Sequence, residues 1–110
     1  MSIPSVEDQS TLDELLQMPT VVLAKHSTRC FISTRAMRQV SKFADSNPDI
    51  PVYQLDIIGH PELSERVSVD LQVPHESPQV IVISNGEAVW NDSHFGITDK
   101  AITKALESTL

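Results

Sequence analysis

Residues 20–57 read TVVLAKHSTRCFISTRAMRQVSKFADSNPDIPVYQLDI. Thr20-Val21-Val22-Leu23-Ala24 is a continuous apolar, largely β-branched run without polar alternation, the pattern of a strand covered on both faces. From Ile32 to Ala44 the apolar residues Ile32, Ala36, Met37, Val40, Phe43 and Ala44 trace one stripe of a helix, which Asn47 and Pro48 stop. Val52 to Ile57 then reads as a second strand. Strand, helix and strand in this order call for a parallel pair joined by a right-handed crossover.

Upstream, Ser10 to Met18 carries Leu12, Leu15 and Leu16 on one face. It includes Thr11-Leu12-Asp13-Glu14, a capping-box pattern, and predicts a short helix closed by Pro19. Downstream, Pro61 to Leu71 predicts a helix with Leu63, Val67 and Leu71 inward and proline at its tolerant first position. Gln79 to Ser84 is a third strand. Asn85-Gly86 is a strong two-residue hairpin signal, with Glu87 to Asn91 as the returning strand. Thr98 opens a last helix with Ile102, Ala105 and Leu106 facing in. The order α-β-α-β-α-β-β-α, with a mixed four-stranded sheet flanked by helices, is that of a thioredoxin-like α/β fold.

No repeat, linker or composition break divides the 110 residues, so residues 1–110 are read as a single domain. Apolar residues make up 40% and charged residues 21%, an ordinary globular mix rather than a disordered one. Eight basic against fifteen acidic side chains give a net charge of −7, which argues against nucleic acid as a partner. No apolar run approaches the ~20 residues that span a bilayer. The first residues, MSIPSVEDQS, are acidic where a secretory signal is basic and then apolar. The expected location is therefore cytoplasmic, with no membrane partner.

Chemistry centres on Cys30, the one cysteine in the chain. It can form no internal disulfide, and the alternatives are an inert buried thiol or a lone reactive one. Its position between the first long strand and the first turn of the following helix favours the reactive reading. Free N–H groups and the helix dipole there stabilise a thiolate, the nucleophilic form. Ser33 lies within one turn and is a candidate donor to the sulfur, or else an ordinary first-turn serine. Between Leu15 and Ala44 there is no Asp or Glu, but there are Lys25, Arg29, Arg35, Arg38 and Lys42. That segment of thirty residues carries +5, which leaves −12 for the other eighty. Part of this excess is a solvated helix face, yet its segregation around Cys30 suits an anionic thiol partner. Without a second cysteine, redox chemistry must pass through a mixed disulfide with a small thiol or another protein.

Ser77-Pro78 immediately precedes the third strand. In thioredoxin-like folds a cis-proline at this point faces the cysteine, and the backbone before it holds the substrate like an added strand.

Two stretches resemble the YtxJ-type monothiol bacilliredoxins. His26-Ser27-Thr28-Arg29-Cys30-Phe31-Ile32-Ser33 is similar to their H-S-x-x-C-P-I-S segment. Val73-Pro74-His75-Glu76-Ser77-Pro78-Gln79-Val80 is the more specific match, followed by Asn85-Gly86, Val89-Trp90, Ser93-His94 and Ile97-Thr98. The similarity runs from about residue 10 to residue 106. It implies that Cys30 takes bacillithiol from protein mixed disulfides and that a second bacillithiol regenerates it. No bound cofactor is implied; bacillithiol or a related low-molecular-weight thiol is co-substrate, and bacillithiolated proteins are the partners. Bacillithiol carries a malate group, which suits the basic segment. The residues expected to bind substrate or tune the thiolate are Ser33, Arg29, His26, Ser77 and Pro78. Phe31 departs from the pattern, standing where the family usually has proline.

Other readings weigh less. His26 sits four residues before Cys30 and is either an electrostatic tuner or a hydrogen-bonded loop residue. His75 and Glu76 either position the substrate loop or form a plain turn. Trp90 reads as packing and His94 as a loop residue. Cys30, His26, His75 and His94 have no zinc spacing, so no metal site is expected. Ser27-x-x-Cys30 also resembles the S/T-x-x-C of peroxiredoxins, but Leu23 occupies the place of their proline. The rival to a monothiol oxidoreductase is a non-catalytic thioredoxin-like module that binds a partner, or senses thiol stress by modification at Cys30.

Overall fold

The computed structural model describes residues 3–109. Its elements are α1 (Gln9–Leu16), β1 (Thr20–His26), α2 (Phe31–Ser46), β2 (Val52–Asp56), α3 (Pro61–Leu71), β3 (Gln79–Ser84), β4 (Glu87–Ser93) and α4 (Asp99–Thr109), with a single 3-10 turn at His94–Gly96. This is the expected element order, with the 3-10 turn added. The strands form one sheet in the order β2-β1-β3-β4. β1 runs parallel to β2 and antiparallel to β3, and β3 runs antiparallel to β4.

The apolar runs of β1 and β3 are explained by their central position, since both strands are buried on both faces. Side chains alternate between two cores. Val21 and Leu23 of β1 and Ile81 and Ile83 of β3 pack with Leu12 and Leu15 of α1 and Leu63, Val67 and Leu71 of α3. Val22, Ala24, Val80 and Val82 pack with Ala36, Val40 and Phe43 of α2 and Ile102, Ala105 and Leu106 of α4.

The first helix begins and ends earlier than Ser10 to Met18, and the Thr11–Glu14 capping box does not close it. Asp8 is the N-cap instead, its carboxylate accepting from the Thr11 N–H at 2.8 Å. A charged acceptor three residues before Thr11 supplies the cap, and this bond lowers the Asp8 pKa. β1 runs two residues past Ala24 because Lys25 and His26 still find ladder partners in Leu55 and Asp56. α2 extends to Ser46, where the Asn47 side chain donates to the Phe43 carbonyl at 2.9 Å.

Residues near the amino terminus add an unforeseen rung outside β2. The Val6 N–H donates to the Gln54 carbonyl at 2.8 Å, and the Gln54 N–H donates to the Pro4 carbonyl at 2.9 Å. This occupies hydrogen-bonding groups on the outer edge of β2 and buries Val6 completely. At the opposite edge the hairpin turns through Asn85 and Gly86, both at positive φ (52° and 80°), as a two-residue primed turn requires.

Candidate active site

The carboxyl end of β1, the amino end of α2 and the loop entering β3 hold the residues singled out in the sequence. After His26 the chain makes one turn, closed by the Cys30 N–H donating to the Ser27 carbonyl at 3.3 Å. Cys30 is the N-cap of α2, extended at φ −120° and ψ 124°, half-buried, and its side chain makes no cap hydrogen bond. No acidic residue occupies the first turn. The sulfur therefore sits at the end of a sixteen-residue helix where backbone N–H groups favour negative charge.

Ser33 is almost fully buried. Its Oγ accepts from the Ser27 N–H at 3.0 Å, and among the described residues no hydrogen bond joins it to Cys30. It thus staples the loop before Cys30 to the first turn of α2. Arg29 is exposed, its N–H donating to Ser27 Oγ at 3.3 Å. The His26 ring is half-buried at the end of β1, and its carbonyl accepts from the Ile57 N–H at 2.9 Å.

The Ser77-Pro78 peptide bond is cis. Pro78 is buried, and its carbonyl accepts from the His94 N–H at 3.0 Å, which ties the 3-10 turn to this loop. His94 Nε2 also lies 3.9 Å from a Glu76 carboxylate oxygen. Ser77 Oγ is buried without a hydrogen-bond partner among the described residues.

Two aromatic rings are exposed here. Phe31, next to Cys30, is 84% accessible, and Phe95 is 64% accessible. Arg35, one turn beyond Phe31, bridges toward the second ring: its guanidinium lies 5.4 Å from the centre of Phe95, and it donates to the Ile97 carbonyl at 3.3 Å.

Burial sets one basic residue of this region apart. Lys25, one of the five basic residues of the segment around Cys30, is only 1% exposed. Its Nζ lies 2.7 Å from His75 Nδ1 and 3.2 Å from Gln79 Oε1. Burial pushes its pKa down to about 8, against a smaller opposing pull from Glu76. Burial first and the Lys25 charge second hold His75 below the usual histidine value. The signal was present: a residue continuing a strand covered on both faces must itself be covered. The basic set is thinned further by Lys42, whose Nζ lies 3.8 Å from an Asp99 carboxylate oxygen. Among the described residues no group of three or more His, Cys, Asp or Glu side chains is placed to hold a metal ion, and no helix is long and apolar enough to cross a membrane.

Residues 2–102 match the family described as monothiol bacilliredoxin BrxC. A candidate oxidoreductase with a thioredoxin fold is 30% identical, superposes with a TM-score of 0.89, and matches over 94% of this chain and 93% of its own. Oxidised thioredoxin from Plasmodium falciparum is 17% identical with a TM-score of 0.78, over 98% of both chains. Thioredoxin from Trypanosoma brucei brucei is 14% identical with a TM-score of 0.81, over 98% of this chain and 90% of its own. These thioredoxins establish the shared fold.

Proposed function

The chain belongs to the monothiol bacilliredoxin family, a group of thioredoxin-fold thiol-disulfide oxidoreductases, and on that premise we propose that Cys30 removes bacillithiol, or a similar low-molecular-weight thiol, from protein mixed disulfides. The Cys30 thiolate attacks the bacillithiol sulfur. A Cys30–bacillithiol disulfide forms, the original S–S bond breaks, and its electron pair leaves on the substrate protein's sulfur, which takes a proton from solvent. A second bacillithiol thiolate then attacks the adduct, giving bacillithiol disulfide and freeing Cys30. The two steps are exchanges, so neither needs an external oxidant.

The observation that carries this reading is the placement of the only thiol at the helix N-terminus. Exposed Phe31 and Phe95 beside Arg35 favour a protein rather than a small disulfide as the donor of the modified thiol. Ser77, before cis-Pro78, is the proposed backbone docking point. Arg29 and His26 are the proposed charges near the anionic thiol, and Ser33 is assigned to shaping the Cys30 loop.

Intact-protein mass spectrometry tests the transfer. Reduced protein mixed with a bacillithiolated substrate should gain one bacillithiol as the substrate loses it, and Cys30→Ser should show neither change. A folded protein with an alkylatable Cys30 that acquires no adduct would overturn the proposal.

Phe31 at the first position of α2 motivates the second reading, a sensing module modified once at Cys30. Many turnovers per molecule with bacillithiol and its reductase would eliminate it.

A further inference from the structure

On the sheet face away from α2 lies a polar cluster that takes no part in the two exchange steps described above. Lys25 sits in the same alternation as Val21 and Leu23, and lysine is almost never fully buried without partners. Two groups receive its ammonium. His75 Nδ1 is 2.7 Å away and Gln79 Oε1 is 3.2 Å away. An ammonium only donates, so Nδ1 accepts and the proton of a neutral His75 ring is placed on Nε2. Gln79 Nε2 in turn donates to the Pro74 carbonyl at 3.1 Å. The segment from Pro74 to Gln79 is therefore held to β1 at both ends, and Ser77-Pro78 lies between the two anchors.

Packing gives no reason for a charge here. A methionine would fill similar space without the desolvation cost of an ammonium. The reason must lie in what the cluster holds.

We propose that Lys25 is a positioning residue: through His75 and Gln79 it fixes the Pro74–Gln79 loop in the arrangement that receives the mixed disulfide, and it does so while Lys25 is charged and His75 is neutral. This rests on the thiol-exchange reading above. The groups around the cluster agree with such a working range. Glu76 from the same loop is the charge acting on both Lys25 and His75. α3 contributes Ser64, whose Oγ is 3.5 Å from His75 Nδ1, and Glu65, which lines a groove of about 300 Å³ together with His75. β2 presents Leu55 as the ladder neighbour of Lys25, and the 3-10 turn presents His94, which faces Glu76. When His75 gains a proton in acid, Nδ1 no longer accepts and two cations face each other. Above about pH 8 Lys25 loses its charge and the charge-assisted bond becomes a neutral one.

The test compares wild type, Lys25→Met and His75→Gln, the last keeping an acceptor that cannot titrate. Bacillithiol transfer from a bacillithiolated substrate protein is divided at each pH by the rate at which iodoacetamide alkylates Cys30, which removes the titration of the thiol itself. Lys25→Met should alkylate within about twofold of wild type but lose about tenfold in the transfer ratio, mostly through KM, as a displaced docking loop would. The wild-type ratio should fall on the acid side. His75→Gln should retain most of the neutral-pH ratio and lose that fall. In ¹⁵N relaxation, the His75, Glu76 and Ser77 amides should become more mobile in Lys25→Met. A Lys25→Met protein with the wild-type ratio and wild-type relaxation overturns the proposal. If wild type transfers no bacillithiol, the functional reading fails separately, and the loop's relaxation in Lys25→Met still decides whether the clamp exists.

Discussion

The two faces of the sheet begin alike and end differently. Against α2 and α4, the side chains Val22, Ala24, Val80 and Val82 are apolar throughout, and that face is continued by Ile97, Phe43 and Val40. Against α1 and α3, the row Val21, Leu23, Ile81 and Ile83 gives way to Lys25 and Gln79, which occupy core positions with polar heads. The first face anchors the helix that presents Cys30. The second ends under the loop that presents Ser77 and Pro78. One strand thus serves rigid packing on one side and a titratable contact on the other, because alternate residues of a strand point opposite ways.

The largest stability effect should come from breaking the apolar face. Phe43→Ala removes a fully buried ring from beneath α2 and should cost about 3–5 kcal/mol, read as a fall in the urea midpoint. For a domain whose whole stability is about 5–15 kcal/mol, that is a large fraction.

The polar face should respond with the opposite sign. Lys25 has a folded pKa of about 8 against the ordinary 10.5, so between those values the unfolded chain binds more protons and stability rises with pH. Below about pH 8 the penalty of the buried charge is present in full, on the order of 3 kcal/mol. Lys25→Met should therefore be more stable than wild type at pH 7, and its urea midpoint should lack the rise toward pH 10. His75 acts at the other end. Because its folded pKa is held below the ordinary 6.5, it resists protonation when folded, and stability should decline as the pH falls through that region.

A smaller effect is expected where the α2 face meets solvent. Phe31→Ala should raise KM for a bacillithiolated protein by about three- to tenfold, while exchange with a small disulfide stays near wild type, in steady-state assays of the two substrates. Equal losses with both substrates would show that Phe31 shapes the Cys30 turn rather than docking a protein. The smallest change should follow Lys42→Ala, whose exposed pairing with Asp99 is worth no more than about 0.5 kcal/mol in urea unfolding.

Most of the fold was legible because its signals are local. A β-branched run without alternation marks a strand buried on both faces, Asn85-Gly86 allows the positive φ of a tight hairpin, and Pro61 begins a helix where its missing N–H costs nothing. Boundaries were less legible where a distant partner extends an element, as Leu55 and Asp56 do for the end of β1. The strip at Pro4 to Val6 gave no periodic signal, since two backbone bonds to Gln54 suffice to hold it. At the candidate site, the placement of Cys30 at a strand-to-helix junction needed only neighbouring residues. For Ser33, sequence spacing leaves a donor to the sulfur and an ordinary first-turn serine both open; its described bond is with the Ser27 N–H, a choice set by how the loop folds back.

By itself, then, the sequence determined the order of the elements, the hairpin, and a single thiol at a helix start, all consequences of backbone preference and apolar period within a few residues. The tertiary structure alone decided that β3 lies beside β1 and that one lysine of the basic segment is buried against a histidine fifty residues away. The physical reason is that burial and hydrogen-bond partnership at Lys25 depend on which face of the sheet it occupies and what the returning chain lays over it.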